Sequence, residues 1–239
     1  MPAYNAEQTL EATLQDIPAG CWDMLIVGDD CSKDGTVALA KKLGLDVLVT
    51  PENLGYGGNQ KMLYTAALER GADVVVMLHP DNQYDARLVP HFVGFLTNGT
   101  TDVILGSRIR SRREALKGGM PLWKYISNRL LTIVLNLSYG MNLGEFHSGF
   151  RAYRREVLEK VAFEQNTNAF GFDAQFLGQA IHHGFRIATA PMPVRYFKEA
   201  SSIAFWPSVR YGLVNLKVAS QFLLRKLGIP FKLFEPAQR

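Results

Sequence analysis

Residues 72–86 read "ADVVVMLHPDNQYDA". Val74, Val75 and Val76 are β-branched, and such runs favour extended backbone buried in a sheet. The run then breaks into His79, Pro80, Asp81, Asn82 and Gln83. A buried strand that stops at polar, metal-competent side chains marks either a turn or a site. In extended backbone, positions 79, 81 and 83 point the same way. His79, Asp81 and Gln83 are therefore expected to converge. Carboxylate and amide oxygens suit Mg2+ or Mn2+, and imidazole favours Mn2+. On these residues alone the turn and the metal site are both open.

The flanking sequence repeats the same unit. "DMLIVGDD" (23–30), "DVLVT" (46–50) and "TDVILGS" (101–107) read as further strands. Between them, 34–44, 58–71 and 85–99 carry apolar residues at helical spacing. Asp34 can cap the first of these helices, and Pro90 is expected to interrupt the third. Strands alternating with helices predict βαβ units, hence an α/β fold with a mixed, mainly parallel sheet flanked by helices. Right-handed crossovers bring the strand C-termini to one edge, where open α/β sheets bind ligands. The polar tips Asp29-Asp30, Glu52-Asn53, His79-Pro80-Asp81 and Ser107-Arg108 then share that rim.

Past residue 108 the pattern changes. Residues 107–119 are basic, contain Gly118-Gly119, and read as a mobile loop. Helices are expected over 128–141, within 145–161, over 170–184 and over 204–228, with 185–197 extended. Phe205, Val209, Leu213, Leu216, Leu223 and Leu227 recur near every 3.6 residues and form one apolar stripe. Arg210, Lys217, Arg225 and Lys226 supply charge that anionic lipids attract. This stripe fits a membrane surface; packing on the core or in a homodimer is the other way to cover it. Arginines 108, 110, 112, 113, 129, 151, 154 and 155 are expected around the second half of the site, where guanidinium pairs with phosphate.

Composition narrows the functional classes. With 239 residues, 47% of them hydrophobic, the chain can bury a sizeable core. The net charge of +4 and the pI near 9.0 agree with anionic partners. Basic runs interleaved with aromatics are absent, so nucleic acid is not an expected partner. Cys21 and Cys31 have no metal-ligand spacing and point to a reducing, cytoplasmic setting. No stretch of about 18 apolar residues is present, so peripheral contact with the cytoplasmic membrane face is favoured over spanning.

Two further motifs matter. "DDCSKDGT" (29–36) puts adjacent carboxylates at a strand end, where Asp30 can hold a ribose hydroxyl or a base N–H. "NLGYGGN" (53–59) opens a helix but matches neither GxxxxGK[ST] nor GxGxxG, and its glycines allow close passage of the chain past a ligand.

In order, "PAYNAEQTL", "DDCSKDGT", "NLGYGGN", "HPDNQYD", "GSR" and "HSGFRAYRREVL" resemble the family 2 glycosyltransferases, in particular the dolichyl-phosphate mannosyltransferase-like branch, over about residues 1–200. The resemblance implies a GT-A (Rossmann-like) catalytic domain over 1–200, with 201–239 as a C-terminal amphipathic helical extension. It implies a nucleotide-diphosphate sugar donor (a GDP- or UDP-sugar), a divalent metal (Mg2+ or Mn2+), inversion at the anomeric carbon and a polyprenyl phosphate acceptor. By motif, Pro2, Tyr4, Asn5, Asp30, Asn53 and Gly55 would face the nucleotide. Asp81, Gln83 and His79 would hold the metal, with Asp81 the surviving acid of an Asp-x-Asp. Arg108 would meet phosphate, with positive charge added by Lys117, Lys124 or Arg129. Ser148, Gly149 and Arg151 would shape the acceptor side. A phosphate acceptor is already an anion and needs no strong base; a hydroxyl acceptor would need Asp173 or Glu145.

Two positions depart from the family pattern: His79 stands where an Asp is usual, and Asp173 where many relatives carry Glu. The family's apolar strand before "PAYN" has no counterpart here: either the start was assigned late or the first strand is lost. His79 also leaves room for a weakly catalytic sugar-nucleotide binding protein. A nucleotidyltransferase would need a different glycine-rich opening.

Overall fold

The computed structural model describes residues 1–109, 111–193 and 205–238, and of Phe205 only the backbone. Arg110, residues 194–204 and the Phe205 side chain, all drawn into the expectations above, lie outside the described residues. In chain order the strands are β1 (Pro2–Ala3), β2 (Ile26–Asp29), β3 (Asp46–Val49), β4 (Val74–Met77), β5 (Val103–Ser107), β6 (Arg151–Arg154) and β7 (Ile187–Pro191). The helices are α1 (Leu10–Asp16), α2 (Thr36–Lys42), α3 (Tyr56–Glu69), α4 (Val89–Thr97), α5 (Arg112–Lys117), α6 (Leu122–Tyr139), α7 (Arg155–Lys160), α8 (Phe172–His182) and α9 (Phe205–Lys226).

The strands form two sheets, a parallel one ordered β1-β2-β3 and a second ordered β4-β6-β5-β7. In the second, β6 runs antiparallel to both neighbours and β5 pairs with β7 in parallel. The chain enters the first sheet through the two-residue strand β1, where Pro2 and Ala3 pair with Gly28 and Asp29. The seam is bridged by α3, whose buried Asn59 donates from Nδ2 to Gly28 O at 2.8 Å and to Ala3 O at 3.4 Å.

Strand alternation distributes the core over the two faces of the second sheet. Val103, Leu105 and Tyr153 pack with Phe172, Phe176 and Phe222, on the side of α8 and α9. Ile104 and Ala152 pack with Phe92 and Leu96, on the side of α4. Burying each such phenylalanine contributes about 1.5–3 kcal/mol. The inner face of α9 (Val218, Ala219, Phe222) belongs to the same cluster as α8. Its expected stripe faces outward instead: Leu213 is 62% and Leu227 79% exposed, and Trp206 joins them at 77%. On α6, Leu130, Ile133 and Leu137 are exposed too, while Asn128 and Thr132 turn inward. Among the described residues no helix is long and apolar enough to cross a membrane.

Three sequence-based expectations are corrected. Residues 107–119 are not one loop, because Ser111 Oγ accepts from Glu114 N–H at 3.2 Å and caps α5. Pro90 does not interrupt a helix; it sits in the first turn of α4, where its missing N–H has no helical partner to lose. Residues 151–154 are strand β6 before α7 begins.

One close approach fixes a loop against the cleft. Gly57 N–H donates to Asn168 O at 2.7 Å, and a Cβ at Gly57 would overlap the Thr167 carbonyl. Lys61 Nζ ties the same loop to α3 through Asn166 O at 2.5 Å and Asn168 Oδ1 at 2.7 Å.

Candidate active site

The strand tips open into a cleft of about 930 Å3. Its rim carries Pro2, Tyr4, Asn5, Asp30, Asn53 and Gly55, its floor His79, Asp81, Gln83 and Asp173, and its far wall Arg108, Lys124 and His147. Beyond these it continues as an apolar groove between α6 (Trp123, Leu130, Leu131, Val134) and α9 (Val209, Gly212, Leu216).

The rim is shaped by its own polar groups. Asn5 and Cys31 adopt φ of 51° and 62°, turning the chain sharply off β1 and β2. Asp30 accepts from Leu54 N–H at 2.7 Å and Gly55 N–H at 2.9 Å, so its carboxylate holds the 53–55 loop while lining the cleft. Asp34 accepts from Thr36 N–H at 3.0 Å just ahead of α2, although the N-cap position itself falls to Gly35.

The opening stretch is both a turn and part of the cleft. Asn82 has φ 53°, and Asp81 Oδ1 accepts from Gln83 N–H at 3.1 Å. The backbone is therefore not extended over 79–83, and the expected same-side alternation is replaced by an Asx turn. His79, Asp81 and Gln83 nonetheless all line the cleft. His79 Nε2 lies 3.5 Å from the Tyr56 hydroxyl, and its ring stacks on Tyr56 at 5.6 Å with 19° between planes. Burial holds His79 below the usual imidazole range, opposed by Asp81. A Cβ at Gly149 would strike the His79 ring. Among the described residues no three His, Cys, Asp or Glu side chains gather as a metal cage. Asp81 and Gln83 fit instead a hard cation that keeps waters and takes further oxygens from a diphosphate, as Mg2+ sites do.

The arginine cluster largely dissolves. Of those named that are described, only Arg108 lines the cleft. Its backbone N–H and Nε donate to Glu145 at 2.8 Å each, and its Nη2 pairs with the same carboxylate. Asn128 Nδ2 also donates to Glu145, at 2.9 Å. Glu145 is wholly buried beneath Arg108, so it is an anchor and not a base in the cleft. Burial pushes Glu145 up, but Arg108 outweighs it and holds the carboxyl below the usual range. Lys124 shares the wall, its ammonium lowered by burial and then by Arg108.

Arg129 is spent structurally, donating to Gly144 O at 2.7 Å, and Lys117 is exposed away from the cleft. Arg154 and Arg155 pair with Glu156 and Glu159 at the far end of β6. Ser148 and Arg151, expected on the acceptor side, lie fully buried beneath the cleft, while Gly149 does line it. Arg151 donates from Nε to Ser148 O at 2.7 Å and from Nη2 to Phe146 O at 3.1 Å, and backs Asp173 at 3.4 Å.

Sequence reasoning missed Tyr56, whose hydroxyl donates to Asp173 Oδ2 at 2.8 Å; it sat unused inside "NLGYGGN". It also missed His147, whose Nδ1 shares a hydrogen bond with the Tyr211 hydroxyl of α9 at 3.2 Å. Burial pushes His147 down to about 3, so the ring is neutral.

The family model for glycosyl transferase family 2 matches residues 1–162. Low-salt glycan biosynthesis hexosyltransferase Agl6 of Haloferax volcanii is 30% identical over 224 residues, covering 90% of this chain and 52% of that protein. The chain thus spans about half the length of that relative. Dolichyl-phosphate hexose transferase of the same organism is 31% identical, covering 82% of this chain and 81% of its own. Among solved structures, glucosyl-3-phosphoglycerate synthase of Mycobacterium tuberculosis, in complex with Mn2+, UDP-glucose and phosphoglyceric acid, superposes with a TM-score of 0.65. That match has 24% identity and covers 97% of this chain and 79% of the other, a likeness of fold.

Proposed function

The chain belongs to glycosyl transferase family 2 and is a glycosyltransferase, and from that premise we propose that it moves a hexose from a nucleoside-diphosphate donor to a polyprenyl (dolichyl-type) phosphate at a membrane surface. The observation that carries this reading is the continuity of the cleft. Its polar rim and floor run directly into the apolar groove between α6 and α9. The outer faces of the same two helices expose Ile133, Leu137 and Leu213. An acceptor with a charged head and an apolar tail has that shape, and headgroup lipids would cover the exposed faces. The name of the Haloferax hexose transferase supports the acceptor class, and the ligands of the mycobacterial neighbour support the donor class and a divalent metal.

In this reading Pro2, Tyr4 and Asn5 receive the nucleotide against the 53–55 loop that Asp30 holds. Asp81 and Gln83 present oxygens to a divalent cation, which when bound would neutralise charge growing on the leaving diphosphate. Arg108 and Lys124 attract the phosphates from the opposite wall. Asp173 faces the sugar. An acceptor phosphate brings its own negative charge, so the chain's work is positioning and charge stabilisation.

The test is nucleotide release from UDP-glucose, UDP-N-acetylglucosamine and GDP-mannose, with Mn2+, Mg2+ or EDTA. Undecaprenyl phosphate in detergent and 3-phosphoglycerate serve as alternative acceptors. Release that depends on the lipid phosphate and on metal is expected. Turnover on 3-phosphoglycerate but not on the lipid phosphate would replace the acceptor and return Asp173 to the role of base.

A further inference from the structure

Tyr56 opens α3 where the floor of the cleft meets its rim. Its ring is clamped between His79, at 5.6 Å, and Phe170, at 5.1 Å. Its hydroxyl reaches Asp173 Oδ2 at 2.8 Å. The same carboxylate meets Arg151 Nη2 at 3.4 Å from below and Gln60 Nε2 at 3.4 Å on Oδ1. Arg151 is itself immobilised by two backbone carbonyls. Asp173 is thus fixed from three directions and still lines the cleft. An ionised carboxylate has about four lone-pair sites, so these contacts leave acceptor capacity toward a ligand.

We propose that Tyr56 is a positioning residue for glycosyl transfer, holding Asp173 as a fixed anion beside the sugar of the donor. The inference rests on the placement of the donor sugar given above. When the bond between the anomeric carbon and the diphosphate oxygen breaks, its electron pair leaves with the diphosphate. Positive charge builds on the sugar until the acceptor oxygen forms the new bond. A carboxylate already oriented stabilises that charge without reorganising, which is where electrostatic catalysis gains most. Tyr56 touches none of the reacting atoms; it acts through Asp173, and the stack with His79 keeps its hydroxyl in place. This gives His79 a task that does not require a bond to metal.

Tyr56→Phe keeps the ring and the stack and removes only the hydroxyl. Together with Asp173→Asn and the double variant, it is tested by kcat and KM for nucleotide release from UDP-glucose and GDP-mannose, with and without undecaprenyl phosphate. Donor Kd by calorimetry and the melting temperature accompany the kinetics. The expected result is a kcat roughly tenfold lower for Tyr56→Phe, the equivalent of about 1.4 kcal/mol, with donor Kd changed less than about threefold. Because Tyr56 works through Asp173, the double variant is expected to be no slower than Asp173→Asn alone. Three outcomes would overturn the proposal: an unchanged kcat in Tyr56→Phe, a loss matched by donor Kd, or fully additive losses in the double variant. Failure of the lipid-phosphate reading shows separately, as wild-type release that undecaprenyl phosphate does not accelerate, and the variants are then compared on that acceptor-free hydrolysis. A wild-type protein that neither binds nor cleaves either donor overturns both.

Discussion

Glu145→Ala isolates the anchor beneath Arg108. The wild-type carboxylate accepts from Arg108 N and Nε at 2.8 Å each and from Asn128 Nδ2 at 2.9 Å, with Arg108 Nη2 as a further donor. The glutamate side chain is 0% exposed and the arginine side chain 10%. Removing the carboxylate takes away the buried acceptor of the Arg108 backbone N–H, Nε and Nη2, while the His147 carbonyl at 3.2 Å stays. Breaking a buried pair from one side costs about 3–5 kcal/mol. A chain of 239 residues has an unfolding entropy of about 0.5 kcal/mol/K. The expected fall in melting temperature at pH 7 is therefore about 6–10 °C. Glu145→Gln keeps the shape and one acceptor oxygen and should lose roughly half as much. The pH dependence gives an independent check. The folded Glu145 carboxyl is depressed below its ordinary value of 4.5, so its stabilisation is present above that value and is lost as pH falls through the folded one. Wild type should shed this part of its stability below about pH 4.5, and Glu145→Gln should not. Thermal melts followed by circular dichroism between pH 3 and 7 measure both. A melting temperature for Glu145→Ala within about 2 °C of wild type would refute the reasoning.

Other outcomes follow from the cleft. Asp81→Asn keeps the Oδ1 that accepts from Gln83 N–H, so the fold should survive while transfer falls by roughly two orders of magnitude; unchanged turnover removes Asp81 from the mechanism. Because His79 Nε2 faces the Tyr56 hydroxyl, Mn2+ and Mg2+ are expected to support wild-type turnover within about threefold of each other; a Mn2+ preference above roughly tenfold would put the imidazole on the metal. Leu213 and Leu227 project outward beside Arg210 and Lys226, so the protein should float with anionic vesicles at low salt, and Leu213→Asp with Leu227→Asp should sink. Wild-type protein left at the bottom of the gradient would favour a second copy of the chain as the cover.

The alternating architecture was legible because each parallel strand ends where its apolar run ends. Asp30, Asn53, Asp81 and Arg108 do stand on one cleft. What sequence could not show was pairing over distance. Strand β6 hides behind the arginines of "RAYR": Arg151 looks like a surface cation, yet Asp173, 22 positions later, neutralises it inside the core. The same blindness scattered eight arginines around a site that only Arg108 reaches among the described ones. The α5 helix was a different failure, since Ser111 and Glu114 already spell a capping box. At Asp81 the stretch is a turn, and the Asx turn still presents the carboxylate to the cleft as an extended strand would have.

The contact between Gly57 and the Thr167–Asn168 backbone has an evolutionary consequence. A side chain can enter position 57 only if residues 167 and 168 withdraw, and withdrawal breaks the Gly57-to-Asn168 hydrogen bond and the two Lys61 ties. The segments 56–61 and 166–168 are more than a hundred residues apart in the chain but are bound to drift together or not at all. In a library that randomises position 57 alone, we expect glycine as the sole tolerated residue. In a library that also varies the length of the 166–170 loop, alanine and serine at 57 should return, carried by loop variants that step back from the helix.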